Sequence, residues 1–387
     1  PELGVRSLMD LVAEGLGMPA YRILLSESAT SEQRLSQRER AEAVVGEAIA
    51  GFLGARQAGD VDFAAAYLKR EAGVAEEESR RVFRLLGDVR GKLSTNNETE
   101  ALLRALRGEY IEPSPGADIV QNPDILPTGR NIHAVNPYGI PSRSAWHRSA
   151  MVVELLLARL REQRGRYPEA IGMVLWGMDN IKTQGEGVAQ ALRLLGVEPV
   201  RDAMNRVSDV AIVPLELLAR PRMDVVLTVS GIFRDLFGAT VELLDKAVRR
   251  VAALEEPPEG NFLRKHVHEQ AAQGVPLQDA ATRVFSNAAG NYGTNVNFQI
   301  MDSQWEQASE IGDLFVTRKC FAFGRGLEGL EARGLFEAAL SRVEATYQNI
   351  DNAEIGITDV DHYFEYLGGL SVAVEKRAGS KPDIYLA

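Results

Sequence analysis

Residues 171–187 read IGMVLWGMDNIKTQGEG: an apolar run, a polar loop carrying Gly177 and Gly185, and the opening of a helical pattern that continues to Leu195. A short apolar run bounded by turn residues is the mark of a strand buried on both faces, and the pattern after Gly187 has helical spacing. The same alternation continues with strand-like runs at 210–214 and 224–229 and a helix over 235–253. Strands alternating with crossover helices predict a Rossmann-like α/β layer with a mainly parallel sheet over 144–258. Open sheets of this kind hold ligands beyond the carboxyl ends of their strands. The loops after Trp176 and Val229 are therefore the first places to look for chemistry. The glycine spacing matches neither the dinucleotide fingerprint nor the P-loop, and Glu186 would repel a phosphate, so a nucleotide is not expected there.

Outward from that layer the texture changes twice. Residues 1–110 are rich in Ala, Leu, Glu and Arg with helical periodicity, which predicts a helical region. Residues 111–143 carry six prolines and little periodicity, the texture of an ordered functional loop. Residues 259–387 predict a mixed α/β region: helices over 262–272 and around 311–323 and 335–350, an Asn/Gly-rich stretch at 286–297, and a strand-like end at 383–386. The chain starts at Pro1 without Met and stops directly after that last run, so an excised fragment is expected.

The balance of 43 basic against 54 acidic residues gives a net charge of −11, which disfavours a nucleic-acid partner. The single cysteine, Cys320, cannot form an internal disulfide, and the reducing cytoplasm is the expected compartment. No apolar run reaches the roughly 18 residues of a spanning helix, so no stable membrane insertion is expected.

Six segments carry side chains suited to chemistry, and each has a structural reading beside the functional one. In LPTGRNIH (126–133), Asn131 and His133 either present reactive groups or satisfy their own turn. Glu186 can accept a proton or face a metal; equally, it can complement a helix dipole. Arg234, in SGIFRD (230–235), can bind a ligand carboxylate bidentately or pair with Asp235. His266 and His268 stand at i and i+2 and point to different helix faces, so they cannot share one metal, although a single imidazole remains a ligand, a base or a structural group. The run RVFSNAAGNYGTNVN (283–297) offers Asn287, Tyr292 and Asn295 as neutral donors and acceptors for a polar ligand rim, or as an Asn-rich loop of Asx turns. In TDVDHYF (358–364), Asp361 and His362 supply oxygen and nitrogen groups to a hard cation such as Mg²⁺, unless Asp359 simply caps a helix.

In this order, LPTGRNIH, GMDNIKTQGEGVAQALRLLGVEP, SGIFRDLF, NFLRKHVHEQ, ATRVFSNAAGNYGTNVN and TDVDHYFEYLGGL resemble the large-subunit family shared by magnesium chelatase and cobaltochelatase, over most of residues 120–387. RNIHAVNP, VFSNAAGNYGTNVN and VTRKCFAF look like the magnesium branch, and DHYFEYLGGL like the form in bacteriochlorophyll-making bacteria. The resemblance implies a C-terminal-half piece of a longer subunit that binds protoporphyrin IX and takes Mg²⁺ as substrate, inactive by itself. ATP would be hydrolysed on a separate AAA+ motor subunit and its bridging partner, not here, and peripheral contact with photosynthetic membranes would be compatible with it. It further implies His133, Glu186, His266, Asp361 and His362 as bases or points on the metal path, with Glu186, Asp361 and His362 nearest the metal. Asn131, Arg234, Arg283, Asn287, Tyr292 and Asn295 would form the porphyrin rim, Arg234 meeting a propionate. The sister reading is cobalt insertion into a corrin precursor; a non-catalytic tetrapyrrole sensor or scaffold is the reading from another class.

Overall fold

The computed structural model describes residues 6–54, 60–115, 119, 123–133, 136–350 and 362–387, and the chain divides into two compact units. The first unit comprises Pro1–Ser114 and Asn122–Ile132. It holds the helices Leu8–Gly15, Tyr21–Glu27, Glu32–Gly54, Val61–Ala72, Glu76–Leu93 and Glu98–Leu106, as the composition of this region predicts. Their apolar stripes close on Leu11, Val45, Phe52, Leu68 and Phe83, with the Phe52 and Phe83 rings 5.1 Å apart. Asp60 caps Val61–Ala72 by accepting the Phe63 N–H at 2.9 Å. Strand β1 (Pro113–Pro115) pairs with β2 (Asn131–His133), the Asn131 N–H donating to the Glu112 carbonyl at 2.9 Å.

The second unit is built on β3 (Ala170–Leu175), β4 (Val197–Arg201), β5 (Val207–Ile212), β6 (Asp224–Val229), β7 (Val284–Ser286), β8 (Phe321–Gly324), β9 (Leu327–Glu331), β10 (Val343–Gln348) and β11 (Asp383–Leu386). Seven of these strands form one sheet in the order β11-β10-β3-β6-β7-β8-β9. It is parallel from β11 to β7, and β8 and β9 add to it antiparallel. Successive residues serve opposite faces. Ile171, Met173, Leu175, Val225, Leu227 and Val229 join one core. Ala170, Val174 and Val226 join the other, with Phe315, Phe336 and Leu370. Burial on both faces is why β3 and β6 read as continuous apolar runs rather than as alternating ones.

Four expectations are corrected. The sheet runs across residue 258, because β7, β8, β10 and β11 come from the later region, and 144–258 and 259–387 share one fold. The run at 210–214 does not enter this sheet: β5 pairs antiparallel with β4 in a separate hairpin. The helix expected over 335–350 ends early, at Arg333–Leu340, and the chain turns into β10, where Val343, Thr346 and Tyr347 suit a pleated surface. Likewise, 311–323 divides into the helix Ala308–Lys319 and β8. Among the described residues, no helix is long and apolar enough to cross a membrane.

Candidate functional site

Because β10, β3, β6 and β7 are parallel neighbours, the segments that follow them open on one edge of the sheet: Asn349 after β10, Trp176 after β3, Ser230 after β6 and Asn287 after β7. Two glycines allow those segments to close on one another. A Cβ at Gly177 would stand 2.7 Å from Ile232 Cγ2, and one at Gly231 would stand 2.5 Å from Tyr292 Cδ1. Ser230 locks the same joint, its Oγ accepting the N–H groups of Phe233 and Gly177, each at 3.1 Å.

Arg234 is buried and fully engaged. Its Nε and Nη2 meet both oxygens of Asp235 at 2.6 and 3.0 Å, and its Nη1 donates to the carbonyls of Asn287 and Ala288 at 3.0 and 2.9 Å. The guanidinium thus shapes the Asn-rich loop; it has no bidentate face left for a propionate, and the pairing with Asp235 is the one present. The Arg234 hydrogen bond, together with one from Tyr292, holds the Asp235 carboxyl below its usual range despite some burial. The Tyr292 hydroxyl donates to Asp235 at 2.5 Å, which pushes that phenol upward, and its ring stays exposed. Asn287 is buried; its Nδ2 donates to the Gly293 carbonyl, and its Oδ1 has no partner among the described residues. Asn295 is exposed at φ 63°, in the left-handed region that Asn tolerates.

Sequence reasoning missed what lies beneath this loop. Lys319 is wholly buried, donates to the Val229 carbonyl at 2.8 Å, and sits 4.5 Å from the centre of the Tyr366 ring. Burial brings its ammonium down to about 7, against the opposing pull of Glu365. Glu365 accepts from Thr294 through its N–H and, at 3.0 Å, its hydroxyl, and from the Asn295 N–H at 3.2 Å. Tyr366 meets Trp176 edge-on at 4.8 Å, and Trp176 stacks on His362 at 4.9 Å with an interplanar angle of 13°. A second polar group joins β3 to β10: Asn349 donates to Asp179 at 3.2 Å, and the Tyr347 hydroxyl lies 2.6 Å from Asn349 Oδ1 and 3.0 Å from Gln190 Oε1. Burial and the nearby Asp179 push the Tyr347 phenol far up. Lys319 and Glu365 stand inside VTRKCFAF and DHYFEYLGGL; the motifs are visible, but a lysine carries no sequence mark of being buried.

The remaining candidates separate. Glu186 opens the helix Glu186–Leu195 near the same edge, where its Oε2 accepts the Arg148 Nε at 3.0 Å. His266 and Arg283 belong to the opposite, amino edge. There Arg283 grips both oxygens of Asp224, the first residue of β6, at 2.7 and 3.0 Å, and gives its third nitrogen to the carbonyls of Ala280 and Thr282. His266 lies between Asp224, at 2.8 Å, and Glu169, at 3.0 Å, and Lys265 pairs with Glu169. Burial pushes Asp224 up, but Arg283 and His266 more than offset it and leave the carboxyl below its usual value. These groups close a buried charge network, away from the edge where the rim is expected. Asn131 belongs to the first unit; Asp361 and the His133 side chain lie outside the described residues.

The segments following β3, β6, β7 and β10 also carry exposed apolar groups: Met178, Ile232, Leu236, Phe298, Met301 and Ile350 are 37–69% exposed. Among the described residues, no three acidic, His or Cys side chains gather as a metal cage.

A family model described as CobN/Magnesium Chelatase matches residues 1–387. The chain is 46% identical over 318 residues to magnesium-chelatase subunit ChlH, chloroplastic, of Oryza sativa subsp. indica, covering 80% of this chain and 23% of that protein. It is 42% identical over 301 residues to the corresponding magnesium-chelatase subunit of Cereibacter sphaeroides, covering 77% and 25%. The fold is similar to that of the catalytic subunit of cobaltochelatase from Mycobacterium tuberculosis, with a TM-score of 0.78 and 32% identity over 98% of this chain and 32% of that one. The chain thus spans about a quarter of the length of the curated relatives it matches.

Proposed function

The chain belongs to the CobN/magnesium chelatase family, and from that premise we propose that it is part of the porphyrin-binding catalytic subunit of a magnesium chelatase, which inserts Mg²⁺ into protoporphyrin IX. The observation that carries the reading is the carboxyl edge, where the segments following β3, β6 and β7 carry exposed Met178, Ile232, Phe298 and Met301 together with the exposed amide of Asn295. A flat apolar macrocycle with polar peripheral groups needs an apolar slot and a few fixed donors. Asn295 supplies such a donor, on a loop that Arg234 and Glu365 hold in place.

Insertion removes two pyrrole protons and strips water from a reluctant cation. Glu186 and His362 would take those protons, and Asp361 would extend them toward the metal. Mg²⁺ is substrate here and keeps much of its own water, so one or two carboxylates suffice to guide it. ATP hydrolysis would fall to a separate AAA+ motor and its bridging subunit, in the cytoplasm or at the face of a photosynthetic membrane. Higher identity to the magnesium subunits, 46% and 42%, than to the aerobic cobaltochelatase subunit CobN of Sinorhizobium sp, 37%, supports magnesium over cobalt.

The test is quenching of protein fluorescence by deuteroporphyrin and by a corrin precursor, followed by Mg²⁺ and Co²⁺ insertion with the full-length subunit and its motor. Saturable porphyrin binding with motor-dependent Mg²⁺ insertion is expected. Preference for the corrin and Co²⁺, or binding without any insertion, would overturn the reading.

A further inference from the structure

Two cavities of the second unit are lined by arginines, and they differ in what the arginines are doing. In one, of about 820 Å³ beside Trp146, the guanidinium groups of Arg193 and Arg220 donate to backbone carbonyls of Trp146, Arg193 and Pro221. In the other, of about 650 Å³, Arg249, Arg264 and Arg325 line the wall with donors to spare. Arg249 gives Nε to Asp245 and Nη1 to the Gln278 carbonyl, and among the described residues Arg264 gives only Nη1, to the Leu254 carbonyl. The Arg325 guanidinium has no protein partner among the described residues.

The wall is built rather than incidental. Asp245 is buried, and its Oδ2 accepts both the Arg249 Nε at 2.9 Å and the Arg325 backbone N–H at 3.1 Å. The turn between β8 and β9 sits directly on this carboxylate: Gly324 has φ 151°, and a Cβ there would lie 2.4 Å from Asp245 Cγ. One buried acid thus fixes the Arg249 guanidinium and the backbone from which the Arg325 side chain extends. Asp279 is the one carboxylate on the lining, and Val267 and Leu327 give it an apolar side. In a chain of net charge −11, three guanidinium groups against Asp245 and Asp279 make a local excess of positive charge.

We propose that this cavity binds a carboxylate carried on an apolar body. Free guanidinium N–H groups suit the carboxylate, and the Val267 and Leu327 side suits the body. Because β8 runs antiparallel to β7, Gly324 lies at the amino edge of the sheet, so the site is separate from the carboxyl-edge slot and does not rest on the chelatase reading.

Decanoate and decanol, an anion and its neutral match, test this on the 387-residue chain by calorimetric titration. Decanoate should bind at one site and at least tenfold tighter than decanol, and R264Q/R325Q should lower its affinity at least tenfold. Should that double variant melt early, R325Q alone decides, because the Arg325 side chain is exposed and holds no protein partner among the described residues; a threefold or greater loss is then expected. Equal binding of the two probes, no saturable decanoate binding, or unchanged affinity in the variant overturns the proposal. Deuteroporphyrin then identifies the source: displacement of decanoate, weakened in R264Q/R325Q, means the carboxylate belongs to a tetrapyrrole. Quenching at the carboxyl edge without displacement means another carboxylate.

Discussion

The two edges of the main sheet use the same residue types for opposite ends. At the amino edge, Arg283, Asp224, His266, Glu169 and Lys265 pair off among themselves. At the carboxyl edge, charge is turned inward through Arg234, Lys319 and Glu365, while apolar side chains and the Asn295 amide are exposed. A histidine or arginine in this fold is therefore interpreted by its place relative to a strand. Residues just before a parallel strand tie the sheet together; residues just after it are available to a ligand.

The amino-edge network is the first place to break that contrast. Removing the acid in D224A leaves the Arg283 guanidinium buried with no carboxylate, which should cost about 3–5 kcal/mol in urea unfolding. Deuteroporphyrin affinity of the molecules that stay folded should not change. A loss below about 1 kcal/mol would mean that the network is not the tie between the strands that its geometry makes it.

Lys319 supplies the next largest effect, and its sign follows from its depressed titration. In the folded chain it titrates near 7, against an ordinary value of 10.5. Between those values the unfolded chain holds the extra proton, so the wild type gains stability as pH rises from about 7 and carries the full penalty below it. K319M lacks this group, so its stability relative to wild type should improve as pH falls from 9 to 7, by about 2–3 kcal/mol at roughly 1.4 kcal/mol per unit. Glu365, Arg234, Arg318 and Tyr366 face the site in both proteins, and the variant loses only their interaction with the ammonium itself. Parallel pH profiles in chemical denaturation would show that the ammonium is not desolvated.

The sequence makes the strands of this contrast legible but not its edges. Runs buried on both faces, such as Ile171–Leu175, announce themselves. Strand β7 is only Val284–Ser286, embedded in an Asn-rich run, and without it nothing tells that Arg283 precedes a strand while Asn287 follows one. Local pattern therefore puts both on one rim. The same limit hides β10, whose Glu344 and Gln348 interrupt an apolar pattern directly after a helix. Arg234 is legible as a ligand group or as a partner of Asp235, and only the carbonyls of Asn287 and Ala288 decide between them. Pairings between residues more than about 50 positions apart follow from strand order, which local pattern does not contain.

A smaller effect tests the joint between the segments after β3 and β6. In G177A the added methyl meets Ile232 Cγ2 at 2.7 Å and the Phe233 backbone nitrogen at 3.0 Å. Ile232 is partly exposed and can yield, but backbone cannot, so about 1–2 kcal/mol of overpacking cost is expected in thermal unfolding. Weakened porphyrin binding should accompany it, because the two segments carry Met178 and Ile232 together.

The smallest effect on stability is the sharpest on function. Phe298 is 59% exposed on the helix Val296–Met301, so F298D removes little packing and should hold stability within about 0.5 kcal/mol. If the outward apolar groups form the macrocycle slot, a carboxylate placed among them repels the porphyrin's own acids and removes apolar contact. Deuteroporphyrin affinity should then fall about tenfold, or about 1.4 kcal/mol. Paired with D224A, this gives opposite outcomes at the two edges, stability lost without binding at one and binding lost without stability at the other. An F298D chain that binds porphyrin as tightly as wild type would remove this helix from the slot and leave the carboxyl edge with only its other exposed groups to recommend it.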